Sequence, residues 1–202
     1  MQSRYFCAVI VLGLLGFLAF GVYAVRRGVS ARERPTVVEA WLARRVRNAA
    51  IPATAKRLRN SIPATEENVR AGMAHWADHC SICHANNGSG NTEIGMSLYP
   101  KAPDMRLPET QHLSDGELYY IIQNGLRLTG MPAWGVPGDG DRNQDSWKLV
   151  LFIRHLPNLT MEEEQQMQKL NPRSPEELQE EKEEEEFLKG TEPNPPVHHH
   201  HP

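Results

Sequence analysis

Cysteine is scarce in this chain, with three in 202 residues, at positions 7, 80 and 83. A structural zinc site usually draws on two pairs of Cys or His at suitable spacing. Beyond Cys80 and Cys83 the one cysteine left is Cys7, in an apolar run, where it reads as a small apolar residue. No alternation of strand and helix patterns surrounds the pair, which removes the βαβ setting of a thioredoxin-like redox centre. No segment repeats internally. The central part is also short of basic charge. Residues 71–160 hold 6 Lys or Arg against 9 Asp or Glu, too little for a nucleic-acid surface.

What is present is Cys80-Ser81-Ile82-Cys83-His84. Two cysteines separated by two residues and followed at once by histidine are the spacing that attaches a c-type haem. Residues three apart on a helix share a face, so both thiols can meet the two vinyl groups of one porphyrin. His84 then reaches the iron from one side. The expected cofactor is therefore one covalently attached haem c, held by Cys80 and Cys83, with His84 as an axial ligand.

Charge divides the chain into three stretches. Residues 1–70 carry 12 Lys or Arg against 4 Asp or Glu, and residues 161–202 carry 4 against 12. Tyr5 to Val25 is uncharged and apolar, and 21 residues can cross a bilayer as one helix. An uncleaved anchor over 1–27 is expected. The competing reading is a signal peptide, since Val22-Tyr23-Ala24 would pass as a cleavage site. Arg26, Arg27, Arg32 and Arg34 would favour the cytoplasmic side. Covalent haem attachment is completed outside the cytoplasmic membrane, however, so the haem domain is expected on the periplasmic or outer side.

Residues 28–65 read as a basic amphipathic helix and a linker. Thr36 and Glu39 form a capping box, and Val38, Trp41, Leu42, Val46 and Ala49 recur at helical spacing. Such a helix suits either anionic headgroups or packing on protein. Pro52 and Pro63 break the linker. The haem domain is expected over 66–158. It opens with a helix from Glu66 to Cys80, has a second helix capped by Ser114 and Glu117 and stopped at Gly125, and closes with a last helix from Trp147. Gly135 to Asp141 reads as loop. Residues 159–202 form an acidic extension, helical or disordered, ending in a Pro-rich tail with His198 to His201. That tract could hold a divalent metal weakly. His75, His79, His112 and His155 read as surface or packing residues.

The second axial ligand decides between electron transfer and ligand chemistry. Met73 and Met167 sit on helix faces and read as packing, while Met96 and Met105 lie in loops near the haem motif. Met131 stands in Gly130-Met131-Pro132-Ala133-Trp134, where glycine allows close backbone approach and proline stiffens the turn. On residue type and setting it is favoured, with Met96 and Met105 still open.

The order Cys80-to-His84, Pro103, Asn124-Gly125, Gly130-to-Trp134 and Trp147 resembles a class I mono-haem cytochrome c, of the subtype found in cbb3-type oxidase haem domains. The resemblance covers residues 66–158. It implies a small all-α fold whose first and last helices cross over the haem, with Gly72 and Trp76 meeting Trp147 or Leu151. It also implies that Pro103, with Pro100 as a rival, offers its carbonyl to the His84 ring, and that Met131 is the distal metal ligand. Arg127 and Trp134 carry donors suited to haem propionates. Ala85 departs from the family, in which glycine commonly follows the histidine; at this level no consequence is expected.

The expectation is an all-α, membrane-tethered electron carrier, not an enzyme, passing single electrons between membrane-bound or soluble redox proteins of a respiratory chain. The alternatives are a haem subunit of a larger oxidase or dehydrogenase complex, and a haem enzyme whose sixth ligand leaves the iron. Neither the redox partners nor the oligomeric state is legible at this level.

Overall fold

The computed structural model describes residues 2–27, 30–136 and 144–188. The histidines at 198–201 and positions 137–141 of the glycine-rich loop lie outside the described residues, as does the side chain of residue 7. Every regular element among the described residues is helical.

The first helix, α1 (Gln2–Arg27), exposes its apolar side chains, among them Phe6, Leu12, Phe17 and Val25. Among the described residues no helix is long and apolar enough to cross a membrane. The longest unbroken stretch of described side chains in α1 is 8–23, so the anchor expected over 1–27 is not shown. Next comes α2 (Val37–Ala50), opened by the capping box expected at Thr36 and Glu39.

The segment read as a linker is instead packed. Ile51 and Ala55 are buried in the core, and Leu58 and Ile62 pack against it. A short helix, α3 (Ala53–Lys56), lies against α8 (Asp115–Asn124). Gly116 allows this, since a Cβ there would overlap the Ala55 carbonyl. Ser114 donates its hydroxyl to the Lys56 carbonyl at 3.2 Å, and Asn60 donates its amide to the Trp147 carbonyl at 2.9 Å.

The core is dominated by the pairing of α4 (Glu66–His75) with α9 (Gln144–His155). Gly72 lets the two backbones touch: a Cβ there would overlap the Lys148 carbonyl oxygen and lie 3.1 Å from the Phe152 Cβ. Trp76 follows one turn later and meets the Phe152 ring at 5.6 Å. The crossing is thus one residue further along α9 than the expected Trp147 and Leu151. Trp147 turns to the other side and stacks on Tyr119 at 4.0 Å. Arg154 staples the end of α9, donating to Asp115 at 2.8 Å and to the carbonyls of Gln111 and Leu113.

The packed core extends past 158, the expected close of the haem domain. In α10 (Met161–Gln168) the side chain of Met167 is fully buried in the same core. Beyond it Asn171, with its amide turned to satisfy both ends, donates to the carbonyls of Ala77 at 3.2 Å and Met167 at 3.0 Å and pairs with Asn86. By contrast α11 (Pro175–Leu188) shows exposed side chains along most of its length, as its run of glutamates requires.

Removing a buried methionine side chain costs about 2–5 kcal/mol where the core cannot collapse. Met167→Ala is therefore expected to lower the denaturant midpoint of the holoprotein at unchanged slope. Leu178→Ala, on half-exposed α11, is expected to change stability by less than about 0.5 kcal/mol.

Candidate haem site

The expected single helix from Glu66 to Cys80 breaks at Trp76. Residues Trp76–Cys80 form a π-helical turn, closed by the Ser81 N–H donating to the Trp76 carbonyl. Such a turn inserts one residue and re-phases the side chains after it. The chain then re-enters α-helix as α5 (Ser81–His84). Cys80 ends the π turn, Cys83 lies on α5 and His84 is its last residue.

Each end of this motif is held from outside. Trp76 donates its indole N–H to the Ala85 carbonyl at 3.0 Å, and its ring lies 5.6 Å from that of His84. The Thr92 hydroxyl donates to the Ile82 carbonyl at 2.8 Å, satisfying one of the terminal carbonyls that any helix leaves unpaired. Thr92 also caps α6 (Glu93–Ser97), accepting from the Gly95 N–H at 2.9 Å. Gly95 has no side chain for good reason, since a Cβ would overlap the Cys83 carbonyl.

His84 is largely buried, and burial lowers its pKa, while the Pro103 carbonyl acts on the ring in the opposite sense as a hydrogen-bond acceptor. The buried Nδ1 of His84 makes no full hydrogen bond. Pro103 reaches this place because of Gly90, at φ +70°, where a Cβ would lie 3.1 Å from the Pro103 carbonyl oxygen and overlap that of Ala102. Gly90 also donates to the His84 carbonyl at 2.8 Å. Sequence reasoning misses Gly90, Thr92 and Gly95. Their signal is a pair of small residues and a cap close after the histidine.

Burial, with Cys83 adding a smaller effect, pushes the Cys80 thiol up to about 12, and burial raises Cys83 as well. Thiols held protonated at neutral pH are the reverse of an activated redox pair. Among the described residues no group of three or more His, Cys, Asp or Glu could hold a metal ion, which leaves the zinc reading without partners. The free thiols of Cys80 and Cys83 and the imidazole of His84, whose ring lies against Trp76, form a set that fits a covalently held haem.

The methionines separate by environment. Met73 and Met167 are buried in the core, as expected of packing residues, and Met161 is 80% exposed. Met96 is exposed on α6. Met105 packs at the core edge with its sulfur 3.8 Å from the Thr110 hydroxyl. Met131 is half-buried and packs against the core from the loop after α8. That loop folds back on the helix it leaves. Gly125, at φ +64°, turns the chain, and the N–H groups of Trp134 and Gly135 each donate at 3.0 Å to the carbonyls of Ile122 and Gln123. The last carbonyls of α8 are thereby satisfied by the loop that carries Met131. Leu98 closes over Gly130, where a Cβ would lie 2.8 Å from Leu98 Cδ1.

Trp134 is half-buried and presents its ring edge-on to His79 at 5.4 Å, while Arg127 is exposed. Pro100 follows a cis peptide bond, away from the Gly90 contact that brings in Pro103. His79 stacks on His75 at 4.6 Å, His155 pairs with Glu163 at 2.9 Å, and His112 lines a surface cleft beside α2.

Ala85 corrects an expectation. It sits at φ +61° and ψ 158°, a region open essentially to glycine alone. It is held there because its N–H donates to the Ser81 carbonyl at 2.8 Å and its carbonyl accepts from Gly88 and Trp76. The departure from glycine therefore does have a consequence, as stored backbone strain.

Residues 67–153 match the family model described as cytochrome c oxidase, cbb3-type, subunit III. No curated protein matches the chain. The matched stretch runs from the second residue of α4 to within one turn of the end of α9. These residues are thus similar to a cytochrome c haem domain of the cbb3 subunit III type, a likeness that implies a covalent haem c and electron transfer.

Strain in the region occupied by Ala85 costs about 1–3 kcal/mol, and glycine gives back about 0.4–1 kcal/mol through the freer unfolded chain. Ala85→Gly is expected to stabilise the holoprotein by about 1 kcal/mol on balance, read as a higher thermal midpoint with an unchanged haem spectrum.

Proposed function

We propose that the protein is a membrane-tethered mono-haem c-type cytochrome that carries single electrons between respiratory-chain partners. The observation that carries this reading is the gathering of Cys80 at the end of the π turn with Cys83 and the half-buried His84 on the braced α5, together with a Met131 loop pinned to α8. When bound, the haem supplies an iron that exchanges one electron at a time. Cys80 and Cys83 would tether it, His84 would supply a ring nitrogen to the iron, and the Pro103 carbonyl would orient that ring. Met131 would supply a soft, neutral thioether, a donor that favours the ferrous state and raises the potential. Two strong protein ligands leave no position for a substrate, so the chain's work is to set a potential and keep water from the iron. Arg127 and Trp134 are proposed to bond the propionates.

The tether rests on the uncharged stretch from Tyr5 to Val25 and on the exposed side chains of α1. A tether raises the effective concentration of the carrier near membrane-bound donors and acceptors. Covalent haem attachment, completed outside the cytoplasmic membrane, supports a haem domain on the periplasmic or outer side. The acidic carboxyl-terminal stretch suits a partner with a basic patch, through docking that weakens with salt. A second reading, a haem subunit held in a larger oxidase, is favoured by the matching family being one of oxidase subunits. Copurification in mild detergent separates the two, since a lone monomer counts against the subunit.

The test of the ligand set is the absorption spectrum of Met131→Ala beside wild type. Loss of the weak far-red band of sulfur-ligated ferric haem is expected, together with carbon monoxide binding to the reduced variant that wild type resists. Survival of the band would transfer the ligand role to Met96 or Met105. Carbon monoxide binding by reduced wild type would favour the enzyme alternative.

A further inference from the structure

Helices on protein surfaces turn their apolar side inward, and α2 does the reverse. Its two half-buried positions are Ala40 and Arg47, seven residues apart on one face. Arg47 is partly desolvated there, with the opposite charge of Glu117 offsetting the cost. Arg44, Arg47 and Asn48 line a cleft against Pro108, His112 and Glu117. The opposite face carries Val38, Trp41, Leu42 and Val46, exposed by 71%, 53%, 53% and 59%. No residue of α2 is buried. Arg45 rises among these side chains with its guanidinium 5.5 Å from the Trp41 ring. The one acidic residue of the helix, Glu39, is taken up by the capping box at Thr36.

Three features identify the occupant of this face. A tryptophan and aliphatic residues with an arginine rising among them are the composition of a helix lying in a membrane interface, where the arginine stem stays in the apolar layer and its head reaches phosphate. The one acidic side chain beside that face, Glu39, is drawn back to the Thr36 N–H by the capping box, and Arg45 stands on the face itself, which suits negative headgroups. The face is also close in sequence to the exposed apolar surface of α1, a helix that ends ten residues before α2 begins.

We propose that α2 lies along the surface of an anionic bilayer, with Val38, Trp41, Leu42 and Val46 at the boundary between headgroups and acyl chains and Arg45 reaching lipid phosphate. This rests on the tethered reading above and adds to it a second, in-plane contact. The haem domain then sits against the membrane through the Arg47 face of the same helix.

The experiment uses the full-length holoprotein reconstituted into vesicles of phosphatidylcholine and phosphatidylglycerol with brominated acyl chains, which quench tryptophan at that depth. Trp76 and Trp147 are buried in the core, so they set a background. The expected result is a quenched component in wild type that Trp41→Phe removes. Leu42→Asp should remove it too, with the haem spectrum and flotation with vesicles unchanged. The component should shrink in phosphatidylcholine alone. Equal quenching of wild type and Trp41→Phe in protein that floats overturns this inference and leaves the tether standing; a protein partner on α2 would give that same result. Quenching indifferent to phosphatidylglycerol overturns the anionic assignment. Protein that does not float overturns tether and surface contact together.

Discussion

The close approach of α4 to α9 at Gly72 is the constraint on which the rest of the haem domain depends. With no Cβ at that position, the carbonyl of Lys148 fits against the helix backbone, and the two helices cross at a distance no larger residue permits. One turn on, the crossing presses Trp76 against Phe152 and aims its indole N–H at the Ala85 carbonyl. The turn between Trp76 and Cys80 is a π turn ending at Cys80, and Cys83 and His84 follow on a short helix of their own. Position and phase of the haem motif are thus set by a contact eight residues before its first cysteine.

Around that motif the chain repeatedly satisfies helix ends with loops that also do chemistry. Thr92 bonds the Ile82 carbonyl while capping α6, and the backbone of Trp134 and Gly135 bonds the last carbonyls of α8 while holding the Met131 segment. A buried helix end needs such partners whatever the function. Here the same bonds fix both candidate axial side chains to the core. Small rearrangements of either loop would leave carbonyl groups unpaired, so the ligands are positioned by a cost that backbone chemistry imposes.

The features legible in the sequence are local ones. The all-α class, the five-residue haem motif and the capping boxes at Thr36 and Ser114 each depend on residues within a few positions of one another, and the boxes are present as expected. The features that escape it depend on distant contacts. The π turn answers to the helix crossing. The burial of Ile51 and Ala55 answers to the space left at Gly116, 61 residues beyond Ala55. Met167 is one apolar side chain in an acidic helix, too weak a pattern to mark a core residue, yet it is fully covered. Ala85 looks innocuous by size, because a side chain's volume says nothing of the backbone angle its neighbours demand.

The packed segment between α2 and α4 also bears on motion. Because Asn60 is bonded to the Trp147 carbonyl and the Lys56 carbonyl receives Ser114, these residues are a bracket and not a leash. A globule on a loose cord would sweep a hemisphere. Bolted as it is, this one holds a single bearing relative to the chain just before α4, and any group seated at Cys80, Cys83 and His84 inherits that bearing.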